Sequence, residues 1–297
     1  MARQAPYVIL LEVVFLTLFW AWVLSAALFL RNTLLPRQPL FTAPTQLNLP
    51  FETITFPATD GLRLEGWTIP DDPSRPWIIL CHGLGSNRSD LLNIAAGLHE
   101  ARFNLLLFDF RGHGGSAGRA TSFGWIEQRD LEGALSFLGR HATVQAAPYG
   151  VYGISMGGAV ALAVAGRDER LLAVAADSPY TTLDDSLAIH LKLLYPFLPR
   201  QPFLTFVRWT YRLRFGAWPA SMSPLAGAAA LSPRSLLLIQ GGSDARVPLA
   251  GAHRLFDAAR DPKDLWVIRE AVHLEEYALD PAAYRRRLAL FFDTALK

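Results

Sequence analysis

The six residues GISMGG, positions 153–158, begin with the last two residues of the apolar run YGVYGI (149–154). A stretch rich in alanine, valine and leucine follows them. Glycines at a turn from a strand to a helix allow positive φ angles and close approach of two backbones, because they have no Cβ. The turn alone therefore leaves two interpretations of Ser155, a catalytic nucleophile or a small residue at a tight bend. The surrounding sequence has to decide between them.

Apolar runs recur along the chain. They are WIILCH (77–82), FNLLLFDF (103–110), YGVYGI (149–154), LLAVAAD (171–177), SLLLIQG (235–241) and DLWVIRE (264–270). Strands that are buried on both faces lose the alternation of polar and apolar residues, as these runs do. The segments between them predict helices over 91–101, 124–139, 156–165, 249–259 and 281–295. FETITF (51–56) and LRLEGWTI (62–69) predict an opening strand pair joined by an Asp60-Gly61 turn. The pattern predicts an α/β fold, a mostly parallel twisted sheet with helices on both faces.

The N-terminal segment is the most apolar part of a chain whose hydrophobic content is 51%. Residues 7–30 carry one charge, Glu12, and are long enough to cross a hydrocarbon core of ~30 Å as a helix. A cleaved signal peptide is the alternative, since Arg3 precedes the run and residues 25–27 are small. Its apolar region is normally only about 7–15 residues, so we expect an uncleaved single-pass membrane anchor over residues 1–32. Basic residues flank both ends, which leaves the side of the membrane open.

Two further segments do not fit the alternation of predicted strands and helices. Residues 33–50 contain four prolines and predict an extended linker. Residues 178–233 are far longer than a strand-to-strand crossover needs and are rich in aromatic, basic and proline residues, which predicts a small helical cap inserted in a domain over 51–297.

Charge and cysteine content exclude some classes of protein. The net charge of +2 and the lack of a basic run other than residues 285–287 give no reason to expect a nucleic-acid partner. The single cysteine, Cys81, excludes a disulfide framework within the chain.

Polar residues follow several of the predicted strands, where the ligand site of an open parallel sheet lies. Ser155 follows YGVYGI, Asp244 lies in GGSDARVP after SLLLIQG, and His273 lies in EAVHLEE after DLWVIRE. The amides of Met156 and of Leu84, in HGLGS (82–86), are candidate donors to an oxyanion. Asp177, at the end of LLAVAAD, competes with Asp244 as the acid.

These residues and motifs resemble the α/β-hydrolase superfamily over residues 51–297, and most closely its esterase, monoacylglycerol-lipase and serine-aminopeptidase-like branch. The stretches that carry the resemblance are HGLGSNR, FDFRGHGGS, GISMGG, ADSPY, QGGSDARVP and the late AVH. The resemblance implies Ser155 as nucleophile, His273 as general base and Asp244 as its orienting carboxylate. It implies no metal and no organic cofactor. Val272 stands where the family often has glycine.

The remaining polar candidates have structural explanations. We expect Asp109 and Arg111 to tie loops together, and His82 and His113 to shape or brace the site. The other histidines are expected at surface or packing positions, and they are His99, His141, His190 and His253.

The sequence thus predicts a membrane-anchored serine hydrolase that cleaves a carboxylic ester, such as a lipid or acylglycerol, by way of an acyl-enzyme. A peptidase, amidase or thioesterase of the same fold is one alternative, and transfer of the acyl group to an acceptor other than water is another. A non-catalytic, membrane-tethered binding protein is an alternative from a different class. The oligomeric state stays open.

Overall fold

The computed structural model describes residues 6–34, 36–140 and 148–297, and within them it contains eight strands and ten α-helices. The strands are β1 (Glu52–Pro57), β2 (Arg63–Ile69), β3 (Trp77–Cys81), β4 (Asn104–Phe108), β5 (Tyr149–Ile154), β6 (Leu171–Asp177), β7 (Ser235–Gly241) and β8 (Lys263–Ile268). The helices are α1 (Pro6–Thr33), α2 (Leu92–Glu100), α3 (Gln128–Arg140), α4 (Met156–Ala165), α5 (Leu183–Leu194), α6 (Arg200–Phe215), α7 (Pro224–Ala230), α8 (Leu249–Ala258), α9 (Glu276–Leu279) and α10 (Pro281–Ala295). Short 3-10 helices cover Pro44–Leu47, Arg88–Leu91 and Pro219–Ser221.

The eight strands form one sheet in the order β1-β2-β4-β3-β5-β6-β7-β8. Only β2 runs against its neighbours, pairing antiparallel with β1 and β4, and the other described pairings are parallel. The carboxyl ends of β5, β6, β7 and β8 therefore lie side by side at one edge of the sheet. The predicted α/β fold and the predicted opening strand pair are confirmed.

Each central strand sends alternate side chains into two separate cores. In β3, Ile79 faces the core that includes α3 and α4, whereas Ile78 and Leu80 face the core that includes α2 and α10. All three side chains have no exposed surface. Burial on both faces explains why the strand sequences read as unbroken apolar runs.

The glycines of GISMGG let α4 pack directly onto the sheet. A Cβ at Gly157 would lie 2.2 Å from the carbonyl oxygen of Cys81 in β3, and a Cβ at Gly153 would lie 2.5 Å from the carbonyl carbon of Gly157. Backbone atoms cannot move away as a flexible side chain can. These two positions therefore require glycine for packing alone, whatever Ser155 does.

The predicted helix over 124–139 begins later, at Gln128. Gly124 has a φ of +116°, which is incompatible with an α-helix. The buried Glu127 carboxylate accepts hydrogen bonds from the amides of Ser122 and Gly124, both at 2.9 Å, and holds this segment as a turn. Helix α3 starts only after that turn ends.

Helix α1 has two different parts. Its first turns are exposed and apolar. An 18-residue window within Tyr7–Thr33 has a mean hydropathy of 2.3, and the segment is long enough to cross a membrane, a test that a signal sequence near the N-terminus also passes. Its last turns pack against α6, where Phe29 contacts Tyr211 and Phe215, and Phe29 also contacts Phe123 in the turn before α3. The apolar helix is thus joined to the rest of the fold along its final turns.

The segment that follows α1 lies along the domain. Arg37 donates to the carbonyl oxygens of Gly114 and Gly118, and Asn87 donates to those of Gln38 and Pro39. Residues 36–43 of the proline-rich segment form neither helix nor strand, and the 3-10 helix Pro44–Leu47 follows them. Hydrogen bonds with distant parts of the chain hold it in place.

The long insertion between β6 and β7 contains three α-helices. Helices α5 and α6 are joined by an ion pair in which Arg208 donates to Asp184. Helix α7 packs against α4 instead, so closely that a Cβ at Gly227 would lie 2.1 Å from the carbonyl oxygen of Leu162. Helices α5 and α6 form the part of the insertion that we call the cap.

Candidate active site

Ser155 lies at the sharp turn between β5 and α4. Its φ of 50° and ψ of −114° fall in a region that side-chain-bearing residues rarely adopt, at a cost of ~1–3 kcal/mol. Its amide donates to the carbonyl oxygen of Asp177 at 2.8 Å, which fixes the turn to the end of β6. The Ser155 side chain does not cap α4, so the hydroxyl is free to face the sheet edge.

His273 lies in the loop after β8, with its side chain 11% exposed. Its Nε2 is 3.1 Å from Ser155 Oγ, and its Nδ1 is 2.6 Å from Asp244 Oδ2. Because an ionised carboxylate only accepts, Nδ1 carries the proton, and the neutral ring accepts the serine hydroxyl at Nε2. The neighbouring Val272 is exposed, so the fold accommodates a side chain where the family often has glycine.

Asp244, in the loop after β7, is buried and fully hydrogen-bonded. Its Oδ1 accepts from the amides of Arg246 at 2.8 Å and Val247 at 2.9 Å, and its Oδ2 accepts from His273. Burial disfavours its charged form, but the hydrogen bonds from His273 and from the two amides outweigh burial and lower the pKa of Asp244 below its ordinary value. The side chain is therefore an anion, positioned to orient the imidazole.

Asp177 occupies a different environment. Its carboxylate is buried and accepts from the Tyr284 hydroxyl at 2.6 Å, and that hydroxyl lies 2.9 Å from the hydroxyl of Tyr152. Burial, and then the nearby Glu276, raise the pKa of Asp177 well above its ordinary value. Its side chain makes no hydrogen bond to His273, so the geometry favours Asp244 as the partner of the histidine.

The two candidate oxyanion donors lie on either side of Ser155. Met156 is the first residue of α4, and Gly83 is close enough that a Cβ on it would lie 3.7 Å from Ser155 Cβ, which brings the loop carrying Leu84 beside the serine. Among the residues that the structure describes, neither the Leu84 amide nor the Met156 amide donates a hydrogen bond. Both amides are available to a ligand.

Two histidines hold the Leu84 loop. His82 Nε2 accepts from the amide of Phe110 at 3.0 Å, so its Nδ1 carries the proton and donates to the Gly83 carbonyl at 2.7 Å. His113 Nε2 accepts from the Gly85 amide at 3.1 Å. Burial lowers the pKa of both histidines, which keeps the rings neutral for these contacts.

Two charged residues of the FDFRGHGGS stretch, Asp109 and Arg111, hold loops together. Asp109 accepts from the amides of Arg88 at 2.7 Å and Gly115 at 2.8 Å, and it also pairs with the Arg88 guanidinium. Arg111 forms ion pairs with Asp60 and Asp130. Both side chains brace loops rather than face Ser155.

Sequence reasoning missed residues that surround this centre. Ser178 donates to the buried Glu276 at 2.8 Å, and His190 of the cap donates from Nδ1 to the Ser186 carbonyl at 2.8 Å. Burial, and then the positive charge of Arg246, lower the pKa of His190, and Arg246 donates its amide to Asp244. No local signal marks Ser178, because its partner Glu276 is far away in sequence, and none marks His190, because its position depends on the packing of the cap. His141 lies outside the described residues.

The described residues contain no group of three histidine, cysteine, aspartate or glutamate side chains arranged to hold a metal ion. Cys81 is buried at the end of β3, where burial raises the pKa of its thiol. A cavity of about 560 Å³ lies between α5 and the start of α8, lined by residues that include Tyr180, Arg246 and Val247. It lies next to the loop that carries Asp244.

Known proteins share this architecture. The chain is 30% identical over 240 residues to the uncharacterized protein YqkD of Bacillus subtilis, which covers 80% of this chain and 78% of YqkD. The structure of the esterase Pf2001 of Pyrococcus furiosus superposes with a TM-score of 0.74 at 26% identity, covering 89% of this chain and 100% of that chain. The dienelactone hydrolase of Anabaena variabilis, at 19% identity and a TM-score of 0.62 over 84% of this chain and 99% of that chain, shares the fold.

A family model described as alpha/beta hydrolase fold matches residues 76–229, slightly more than half of the chain. The matched segment contains β3 to β6, the Ser155 turn and the cap. The similarity to the esterase Pf2001 supports a hydrolytic function. The family match, together with the sheet order, shows that the chain belongs to the α/β-hydrolase fold family.

Proposed function

We propose that this protein is a membrane-anchored serine hydrolase that cleaves a carboxylic ester through Ser155, His273 and Asp244. The observation that carries the proposal is the continuous hydrogen-bond chain from Ser155 Oγ to His273 Nε2 at 3.1 Å and from His273 Nδ1 to Asp244 Oδ2 at 2.6 Å. A serine hydroxyl is a poor nucleophile until a base takes its proton. These hydrogen bonds supply His273 as the base, and Asp244 holds it in the required tautomer.

In the proposed mechanism, Ser155 Oγ attacks the acyl carbon while His273 Nε2 takes the hydroxyl proton. The carbonyl oxygen becomes an oxyanion that accepts from the amides of Leu84 and Met156, and one donor of this kind is worth roughly 2.7–4 kcal/mol. The bond to the leaving alcohol then breaks, and His273 returns the proton to that alkoxide. Water, deprotonated by His273, attacks the acyl-enzyme and releases the carboxylic acid and the free serine.

Two features support a lipid-like ester as substrate. Helix α1 is long and apolar enough to hold the protein in a membrane, and its last turns lie against the cap. Large apolar side chains are exposed on the cap, as at Leu194, and on the turn between its two helices, as at Phe197. An enzyme built in this way would meet its substrate at a bilayer surface, where acylglycerols and similar esters reside.

The direct test is reaction with a fluorophosphonate probe and hydrolysis of p-nitrophenyl butyrate by the full chain. We expect both to be lost in Ser155→Ala and retained in Ser136→Ala, a control on α3 whose hydroxyl only contacts the Glu132 carbonyl of its own helix. Labelling that persists in Ser155→Ala would remove Ser155 as the nucleophile. A folded wild-type protein that is inert to probe and ester would instead favour the non-catalytic binding protein.

The same residues also fit the related reactions that the sequence left open. Parallel assays with p-nitroanilides and thioesters distinguish an amidase, a peptidase or a thioesterase from an esterase. Product analysis with added alcohol separates acyl transfer from hydrolysis. Resistance of the protein to carbonate extraction from membranes, together with the mass of its mature N-terminus, distinguishes an anchor from a cleaved signal sequence.

A further inference from the structure

A narrow apolar groove lies between helix α1 and the cap. It encloses about 70 Å³ and is lined on one side by Leu28 and Phe29 of α1 and on the other by Leu187 and Leu191 of α5. Two polar residues of α1, Ser25 and Asn32, complete its α1 wall. The groove exists only because the last turns of α1 are docked on the catalytic domain.

The outer end of the groove is continuous with exposed apolar surface. Leu194 lines the groove and is 58% exposed, and the nearby Phe197 is 77% exposed. The earlier turns of α1 are likewise exposed and apolar. In a protein held in a bilayer by α1, the outer end of the groove would open towards the hydrocarbon region or its boundary.

The inner end of the groove leads towards the catalytic centre. His190 lines it, on the side of the cap that faces the neighbouring cavity, and Arg246, whose amide bonds Asp244, lines that cavity. Leu191 and Leu198 line both the groove and the 560 Å³ cavity beside the Asp244 loop, so these two side chains separate the two spaces. A rotation of these two side chains would join the groove to the cavity and give room to a chain too long for the groove alone.

We infer that this groove admits the hydrocarbon chain of a membrane lipid, and that α1 forms one wall of the acyl-chain site in addition to serving as an anchor. The inference rests on the proposed ester hydrolysis and names its substrate class, a long-chain acyl ester drawn from the bilayer. Passage along α1 would keep the chain in apolar surroundings, whereas passage through water would expose each of its methylene groups at a cost in free energy.

The test blocks the groove from both of its walls. Leu28→Trp enlarges a lining side chain on α1, and Leu187→Trp does the same on α5. Leu24→Trp is the matched control, because Leu24 lies one turn earlier on α1, is 48% exposed and does not line the groove. The full chain is reconstituted in phosphatidylcholine vesicles, and kcat/KM is measured for p-nitrophenyl butyrate and p-nitrophenyl laurate.

We expect both groove variants to reduce the ratio of laurate to butyrate kcat/KM by roughly tenfold or more, which is the discrimination that a small volume change in an apolar pocket produces. Leu24→Trp should keep the wild-type ratio. Wild-type ratios in both groove variants, with butyrate hydrolysis intact, would overturn the inference and leave the proposed function standing. Absence of butyrate hydrolysis and probe labelling in the wild type would overturn both.

Discussion

Replacing Asp244 by asparagine isolates the role of the orienting carboxylate. Asparagine has nearly the same size, and its amide oxygen can still accept from the Arg246 and Val247 amides that now bond Oδ1 at 2.8 and 2.9 Å. The amide NH₂ group would then face His273 Nδ1 where Oδ2 now accepts at 2.6 Å. A donor at that position forces the proton onto Nε2, so the ring can no longer accept the proton of Ser155.

The expected loss of kcat in Asp244→Asn follows from two changes at His273. The tautomer becomes wrong and the imidazolium loses its counter-charge, a combination that lowers kcat by about 10⁴-fold in a comparable triad. This corresponds to roughly 5 kcal/mol of transition-state stabilisation, at 1.36 kcal/mol for each factor of ten. The fold should be little affected, because the hydrogen bonds of the loop remain.

The assay is steady-state hydrolysis of p-nitrophenyl butyrate by Asp244→Asn, with circular dichroism as a check on folding. Asp177→Asn is the matched control, since Asp177 is buried at the same edge of the sheet but accepts from Tyr284 rather than from His273. We expect this control to lose less than about tenfold in kcat/KM, because ~1 kcal/mol of hydrogen bonding is at stake. The assignment of Asp244 would be refuted by an active Asp244→Asn beside an inactive, folded Asp177→Asn.

Two predictions concern stability. A hydrogen bond from Arg111, opposed by partial burial, holds the pKa of the exposed Asp60 at about 2. Since this lies below the unfolded value, the ion pair stabilises the fold above about pH 4, and its contribution is lost as the pH falls towards 2. Asp60→Asn should therefore cost about 1 kcal/mol at pH 7 after solvent screening and progressively less in acid, measured by denaturant unfolding; a cost that is constant with pH would contradict the ion-pair explanation. Gly157→Ala should destabilise the protein by more than ~3 kcal/mol or prevent folding, because its Cβ meets backbone at 2.2 Å, whereas Gly139→Ala, with no atom within 4 Å of its Cβ, should raise the melting temperature slightly. Equal melting temperatures for the two variants would show that α4 does not pack as described.

The sheet was predictable because its physical cause is local. Strands buried on both faces must be apolar at every position, and the runs around Ile79, Val151 and Leu238 state this directly in the sequence. The predicted bounds of α4 and α10 agree with the structure for a similar reason, since a strained turn precedes α4 and Asp280 caps α10. Local chemistry of this kind can be read without knowing the fold.

The meeting of the site residues at one edge of the sheet was also predictable, since parallel strands bring their carboxyl ends to that edge. The choice between Asp244 and Asp177 was not, because each follows a strand at that edge. Only the loop geometry brings Asp244 to His273, and only burial beside Tyr284 shows how Asp177 is used instead. Which loop reaches a given point is a property of tertiary packing.

The docking of α1 was beyond sequence reasoning for the same reason. Phe29 meets Phe123 and Tyr211, which are distant along the chain and carry no pattern that identifies them as its partners. The apolar run predicted a helix of membrane-spanning length but not the contact of its last turns with the cap. His190 lies on the same surface between α1 and the cap, and its position there was equally beyond sequence reasoning.

The backbone of Ser155 bears on how natural selection acts at this position. A φ of 50° with a ψ of −114° costs little for glycine and ~1–3 kcal/mol for a residue with a Cβ, so a mutation to glycine here would make the protein more stable. A lineage that had given up chemistry would gain from that change and lose nothing. A serine in place of the more stable glycine at this turn is therefore what a requirement for a reactive hydroxyl would produce.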